Sequence, residues 1–170
     1  MLKVNVASEL KTVGRTGRFS GVLEEERVEF AGREVAFASP VEVSVEYIYD
    51  GGGFSVIGTA QTKLVSECAR CAKAFEEPFG FEFDERFEKA TEDEDIYPFS
   101  GEELDLTPVV LDNIFLNLPI SSICDEDCKG LCLVCGCDLN TSQCSCQSED
   151  DGALNPFSKL SELLKEDKEV

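Results

Sequence analysis

Nine cysteines and the complete lack of histidine constrain this 170-residue chain more than any other feature. Seven of the nine fall between Cys124 and Cys146, and the other two form a separate Cys68-Ala-Arg-Cys71 pair. Paired thiolates at this spacing grip a soft divalent metal, and zinc is the usual one. The plain alternative, a set of inert buried thiols, does not account for Cys-x-x-Cys spacing occurring twice. The run Leu131-Cys132-Leu133-Val134-Cys135-Gly136 has the form of a zinc knuckle. The glycine after its second cysteine tolerates the backbone turn that aims N–H groups at sulfur. Two ligand groupings satisfy the spacing. In one, Cys132, Cys135, Cys144 and Cys146 share one ion, and Cys68, Cys71, Cys124 and Cys128 share another. In the other, a single ion joins Cys68, Cys71, Cys132 and Cys135, as in a zinc ribbon. Cys137 is spare in both, so one or two zinc ions are expected. An iron–sulfur cluster is the metallic alternative, although the spacing matches none of the ferredoxin runs.

The net charge of −20 is unevenly spread. Residues 1–50 carry 6 basic and 9 acidic side chains, and residues 51–170 account for −17. Binding a nucleic-acid backbone depends on Lys and Arg neutralising phosphates. Direct RNA contact is therefore confined to a local patch such as Lys11, Arg15 and Arg18, or absent. A basic protein partner suits the field better. Each four-thiolate zinc would add roughly −2 more, which Arg70, Lys73 and Lys129 beside the cysteines partly offset.

The opening residues lack the apolar run of a signal peptide, and no stretch approaches the ~18 apolar residues of a membrane span. The chain reads as cytosolic, where disulfides are rare and thiols remain available to metal. Catalysis finds little support. The commonest general base, histidine, is missing, and Gly51-Gly52-Gly53 lacks the Lys-Ser/Thr of a phosphate loop. A closed four-thiolate site offers no open position to substrate. No catalytic residue and no small-molecule substrate are expected. A thiol redox protein using Cys68 and Cys71, and a metal-responsive binding module, are the alternatives.

An α+β fold is expected: an antiparallel β-meander, or partly closed sheet, with two short helices and a cysteine-rich metal segment. Gly17–Leu23 is a weak strand signal. Val41, Val43, Val45, Tyr47 and Tyr49 alternate with Glu42, Ser44, Glu46 and Ile48, which marks a strand with one buried face. Asp50–Gly53 supplies a turn, Phe54–Val65 a return strand, and Phe79, Phe81, Phe83 and Phe87 a third long strand. Cys68 and Cys71 then lie at a hairpin tip. Thr91–Asp95 and Ser100–Glu103 read as loop. Thr107-Pro108 has the form of an N-cap followed by a first-turn proline. Val110, Leu111, Ile114, Phe115 and Leu118 follow at helical spacing up to Pro119. Asn155-Pro156 opens a last helix with Phe157, Leu160, Leu163 and Leu164 as its stripe. Three regions are thus predicted: a β-rich domain with its helix over 1–119, a metal-binding segment over 120–151 joined by the hairpin tip, and an amphipathic helix over 152–170.

Several pieces in order resemble the YceD family, the large ribosomal RNA subunit accumulation proteins. They are Cys68-Ala-Arg-Cys71, Asp105-Leu106-Thr107-Pro108 leading to Leu118-Pro119, Cys124 through Cys128-Lys-Gly-Leu-Cys132-Leu-Val-Cys135-Gly136, Leu139-Asn140, and Asn155-Pro156-Phe157. The resemblance runs from about residue 35 onward. Leu133, where a proline is common, and Cys137, an added thiol, depart from the pattern. The resemblance implies a non-enzymatic role in synthesis, processing or accumulation of large-subunit ribosomal RNA. Together with the charge, it implies a basic large-subunit protein or a pre-ribosomal particle as partner.

Overall fold

A computed structural model of the chain describes residues 1–30, 32–89, 93 and 95–146. The helix expected from Asn155 lies outside the described residues. By internal contacts the chain divides into two compact units: residues 1–68 with 73–124, and residues 69–72 with those from Asp125 onward.

Three long strands dominate the first unit. In β5 (Val41–Tyr49) the alternation works as expected: Val41, Val43, Val45 and Tyr47 are buried, and Glu42, Ser44, Glu46 and Ile48 face water. The strand β6 (Gly53–Glu67) pairs along its whole length with β7 (Ala74–Glu88), from Gly53 opposite Glu88 to Glu67 opposite Ala74. The other edge of β6 is shared. Residues 54–61 take β5, and Leu64 and Val65 take β4 (Arg33–Phe37). Outside these lie β2 (Thr16–Leu23) on β5 and β3 (Arg27–Phe30) on β4. All these pairings are antiparallel. The exception is β8 (Tyr97–Pro98), which runs parallel to the end of β7. A separate two-stranded ribbon joins β1 (Lys3–Asn5) to β9 (Glu103–Asp105). Glu103, expected in a loop, therefore begins a strand.

The β5–β6 turn is built by Asp50, whose Oδ1 accepts the N–H groups of Gly52 and Gly53, each at 2.9 Å. Arg86 of β7 holds the same carboxylate. Together these bonds keep the Asp50 carboxyl well below the usual carboxylate range.

Among the described residues there is one α-helix, α1 (Thr107–Asn117), where two were expected overall. Its start differs from the expected cap. Thr107 is the first helical residue, and its Oγ1 accepts the N–H of Leu2 at 2.9 Å. The carboxylate of Asp105 caps instead, accepting the N–H of Thr107 at 3.0 Å. Leu118, with ψ of 135°, leaves the helix because the following Pro119 disfavours helical backbone there. Val109, Val110 and Ile114 are fully buried. Leu111, Phe115 and Leu118 pack against the core that Phe54, Phe87, Leu104 and Leu106 form with the inner faces of the strands. Asn113 is buried too, and its amide donates to Glu85 and to the Val109 carbonyl.

Candidate metal centre

Cys68 follows directly on β6, and its N–H donates to the carbonyl of Lys73 at 2.9 Å, closing the hairpin tip. The loop turns at Ala72, whose φ of +57° is left-handed and unusual for a residue with a side chain. Gly136 occupies the same place after Cys135, with φ of +72°, and its N–H reaches the Cys132 carbonyl at 2.8 Å. Each Cys-x-x-Cys pair thus ends on a left-handed residue, a glycine in one case and an alanine in the other.

The thiols form two groups of four. In each group the four Sγ atoms lie within 4.8 Å of one another: Cys68, Cys71, Cys124 and Cys128 in one, Cys132, Cys135, Cys144 and Cys146 in the other. Cys68, Cys71, Cys132 and Cys135 do not form a group among the described residues. A tetrahedral ion with metal–sulfur bonds near 2.3 Å needs sulfurs about 3.8 Å apart. Shifts of an ångström or less therefore bring either group to that geometry, and either can hold a metal ion. The groups differ in exposure. Cys68, Cys71 and Cys128 are only 2%, 8% and 6% exposed, whereas Cys135 and Cys146 face solvent. Cys137 belongs to neither group, yet its carbonyl accepts the Cys132 N–H at 2.8 Å.

The electrostatics of the second group fit a cation. The N–H groups of Cys135 and Val134 point at the Cys132 sulfur and, with help from Cys144, lower that thiol to about 6. The N–H of Cys137 lowers Cys135 in the same way. Cys137 and Cys146 donate toward the Cys135 sulfur, and this, with burial, pushes them up to about 11 and about 12. Only part of the set ionises by itself, because adjacent thiolates repel. A dication removes that conflict and lets four sulfurs deprotonate together.

Arg70, between Cys68 and Cys71, organises the second unit. Its guanidinium donates to the carbonyls of Glu126 and Cys128 at 2.9 and 3.0 Å. Its own carbonyl accepts the N–H of Leu131 at 2.9 Å. This close approach depends on Gly130, which has φ of +75° and whose missing Cβ would sit 2.9 Å from the Arg70 oxygen. Asn140 completes the arrangement. Its Oδ1 accepts the Lys129 N–H at 2.8 Å, and its amide donates to the Cys128 sulfur at 3.4 Å and to Asp138 at 2.7 Å. Donors to ligating sulfur or to neighbouring backbone fix ligand orientation in metal sites. The Cys-Lys-Gly-Leu-Cys spacing hinted at a turn, but the roles of Arg70 and Asn140 depend on partners 56 and 12 residues distant and have no local signature.

An antiparallel sheet whose hairpin tip carries two thiols, with a cysteine-rich segment offering six more in the same two groups, defines a class of metal-stabilised β-sheet proteins without an evident catalytic cleft. Residues 56–164, more than half of the chain, match the family described as large ribosomal RNA subunit accumulation protein YceD. The chain belongs to the YceD family. It is 26% identical to the Arabidopsis thaliana protein named large ribosomal RNA subunit accumulation protein YCED homolog 1, chloroplastic, over 96% of this chain and 63% of that one. The protein of the same name from Zea mays is 29% identical over 70% of this chain and 53% of its own length. An uncharacterized protein of Mycobacterium bovis is 33% identical over 58% of this chain and 50% of its own. The chain thus spans between half and two thirds of the length of these relatives. No solved structure matches it. No helix among the described residues is long and apolar enough to cross a membrane.

Proposed function

We propose that this protein is a non-enzymatic assembly factor for the large ribosomal subunit, supporting synthesis, processing or accumulation of its ribosomal RNA, with zinc held by Cys68, Cys71, Cys124 and Cys128 and by Cys132, Cys135, Cys144 and Cys146. The observation that carries the metal reading is the gathering of eight thiols into two groups whose sulfurs lie within 4.8 Å. Bound zinc supplies a cross-link for a segment too poor in large apolar residues to order itself. The residues do the rest. Arg70 and Asn140 hold the ligating loops in place, and two left-handed turns aim N–H groups at sulfur. A closed set of four thiolates leaves no position for substrate, in keeping with a structural role. The spacing favours zinc over an iron–sulfur cluster, and a reducing compartment, the cytoplasm, keeps the thiols available.

The family's association with ribosomal RNA and the net charge of −20 together point to a basic protein of the large subunit, alone or on a pre-ribosomal particle. Residues 120–151 with the hairpin tip form the metal-dependent region, and 1–119 the β-rich domain. Elemental analysis of purified, reduced protein tests the site. Two zinc ions per chain are expected, and less than one in folded material overturns it. A salt-titrated pulldown with separated large-subunit proteins tests the partner. Retention of bare RNA and no protein at physiological salt counts against the reading. The redox alternative is disfavoured at Cys68 and Cys71 by their burial, which closes them to a thiol partner.

A further inference from the structure

We propose that the groove between β3 and α1 docks a basic segment of a partner protein, seating one bulky apolar side chain flanked by lysines or arginines. The inference rests on the assembly-factor reading and gives its partner a landing place. The groove encloses about 370 Å³. That is at the small end of the ~300–1,000 Å³ typical of ligand pockets, so it suits an anchor side chain rather than a folded element. Its apolar surface comes from Val28 of β3 and from Leu111 and Phe115, one helical turn apart on α1. Glu29, Asp105 and Asp112 complete the charged lining, which contains no lysine or arginine.

These carboxylates are held in place by neutral donors. Asp105 accepts the Thr107 N–H at 3.0 Å, and Asp112 accepts the Tyr97 hydroxyl at 2.9 Å. Among the described residues, none of the three is in an ion pair with a lysine or arginine. Arg27, on the same strand as Glu29, is already paired with Glu34 at 2.9 Å. An apolar floor with an oriented, cation-free acidic lining is complementary to an apolar anchor between positive charges. Burial of the anchor supplies affinity, while the lining charges select the partner and speed encounter. The chain's overall −20 strengthens attraction of a basic segment and repels an acidic one.

The test uses the full chain and a fluorescein-labelled peptide with a central Leu-Phe flanked on each side by three lysines or arginines. The variant E29Q/D105N/D112N removes three charges but keeps every acceptor oxygen, so the Thr107 and Tyr97 bonds survive. The control E42Q/E82Q/D84N removes the same charge from the outer face of the sheet. Fluorescence anisotropy should show saturable binding, weakened about tenfold in the groove variant and unchanged in the control. Amide shifts on peptide addition should centre on Val28, Leu111 and Phe115. Equal weakening in both variants overturns the proposal, as does sedimentation showing a dimer that excludes the peptide, which would assign the groove to a second copy. The same variants in the ribosomal-protein pulldown separate the two readings. A basic ribosomal protein retained equally by wild type and groove variant sinks the groove and spares the assembly role. Peptide binding in the groove with no ribosomal protein retained by wild type does the reverse.

Discussion

Replacing Gly130 with alanine should weaken zinc binding far more than the same change at Gly136, although both have left-handed backbone, with φ of +75° and +72°. Alanine in that conformation costs about 1–2 kcal/mol. Its smaller unfolded-state entropy returns about 0.4–1 kcal/mol. At Gly136 nothing lies within 4 Å of the added carbon, so only these two effects act. They leave about 1 kcal/mol, a roughly fivefold loss of apparent affinity. At Gly130 the added carbon meets the Arg70 carbonyl oxygen at 2.9 Å, and that oxygen already accepts the Leu131 N–H. Backbone cannot swing aside as a flexible side chain can. Relief requires giving up a hydrogen bond worth about 1 kcal/mol. The combined loss is about 2 kcal/mol, or roughly thirtyfold. It is read in metal affinity because ordering this segment and binding its ion are one process. Competition against a chromophoric chelator measures both variants, with Gly101→Ala, left-handed but in open space and distant in sequence from the thiols, as reference. Equal losses in the Gly130 and Gly136 variants would refute the argument that the close approach to Arg70 matters.

Chelation should proceed in two phases, with the group containing solvent-facing Cys135 and Cys146 emptied before the one containing buried Cys68, Cys71 and Cys128; mass spectrometry after timed thiol alkylation reads the order. Ala72→Gly should leave stability unchanged or raise it by up to about 1 kcal/mol, since relief of a left-handed alanine outweighs or matches the entropy glycine adds, and a melting curve of the metal-loaded protein gives the answer. Asp50 contributes stability that is fully present above its unfolded value near 4 and declines as pH falls below it, because the unfolded chain then takes up a proton that Arg86, Gly52 and Gly53 deny the folded one. Asp50→Asn should flatten that part of the acid limb in urea titrations between about pH 4 and pH 2, where zinc-independent unfolding of the sheet is followed by tyrosine fluorescence.

Residues 41–49, 53–67 and 74–88 announced their strands because alternation over many positions is a local pattern, and burial of Val41, Val43, Val45, Phe81 and Phe83 reproduces it. Lys3–Asn5, Arg27–Phe30 and Tyr97–Pro98 gave no such signal: they are too short to show a period, and each exists because a partner strand is already there. The capping of α1 shows the same limit. Thr107 has the right chemistry for an N-cap, but its hydroxyl is taken by Leu2, 105 residues away in sequence, and Asp105 caps in its stead.

The cysteine spacing by itself determined that sulfur would gather in pairs and that a glycine would be needed beside them, because a four-residue turn leaves few ways to present two thiols. Only the tertiary structure decided which pairs meet, that Arg70 and Asn140 hold the loops around them, and why Gly130 must lack a side chain. Those outcomes depend on the close approach of backbone segments distant in the chain, and distance in space leaves no mark on the order of residues.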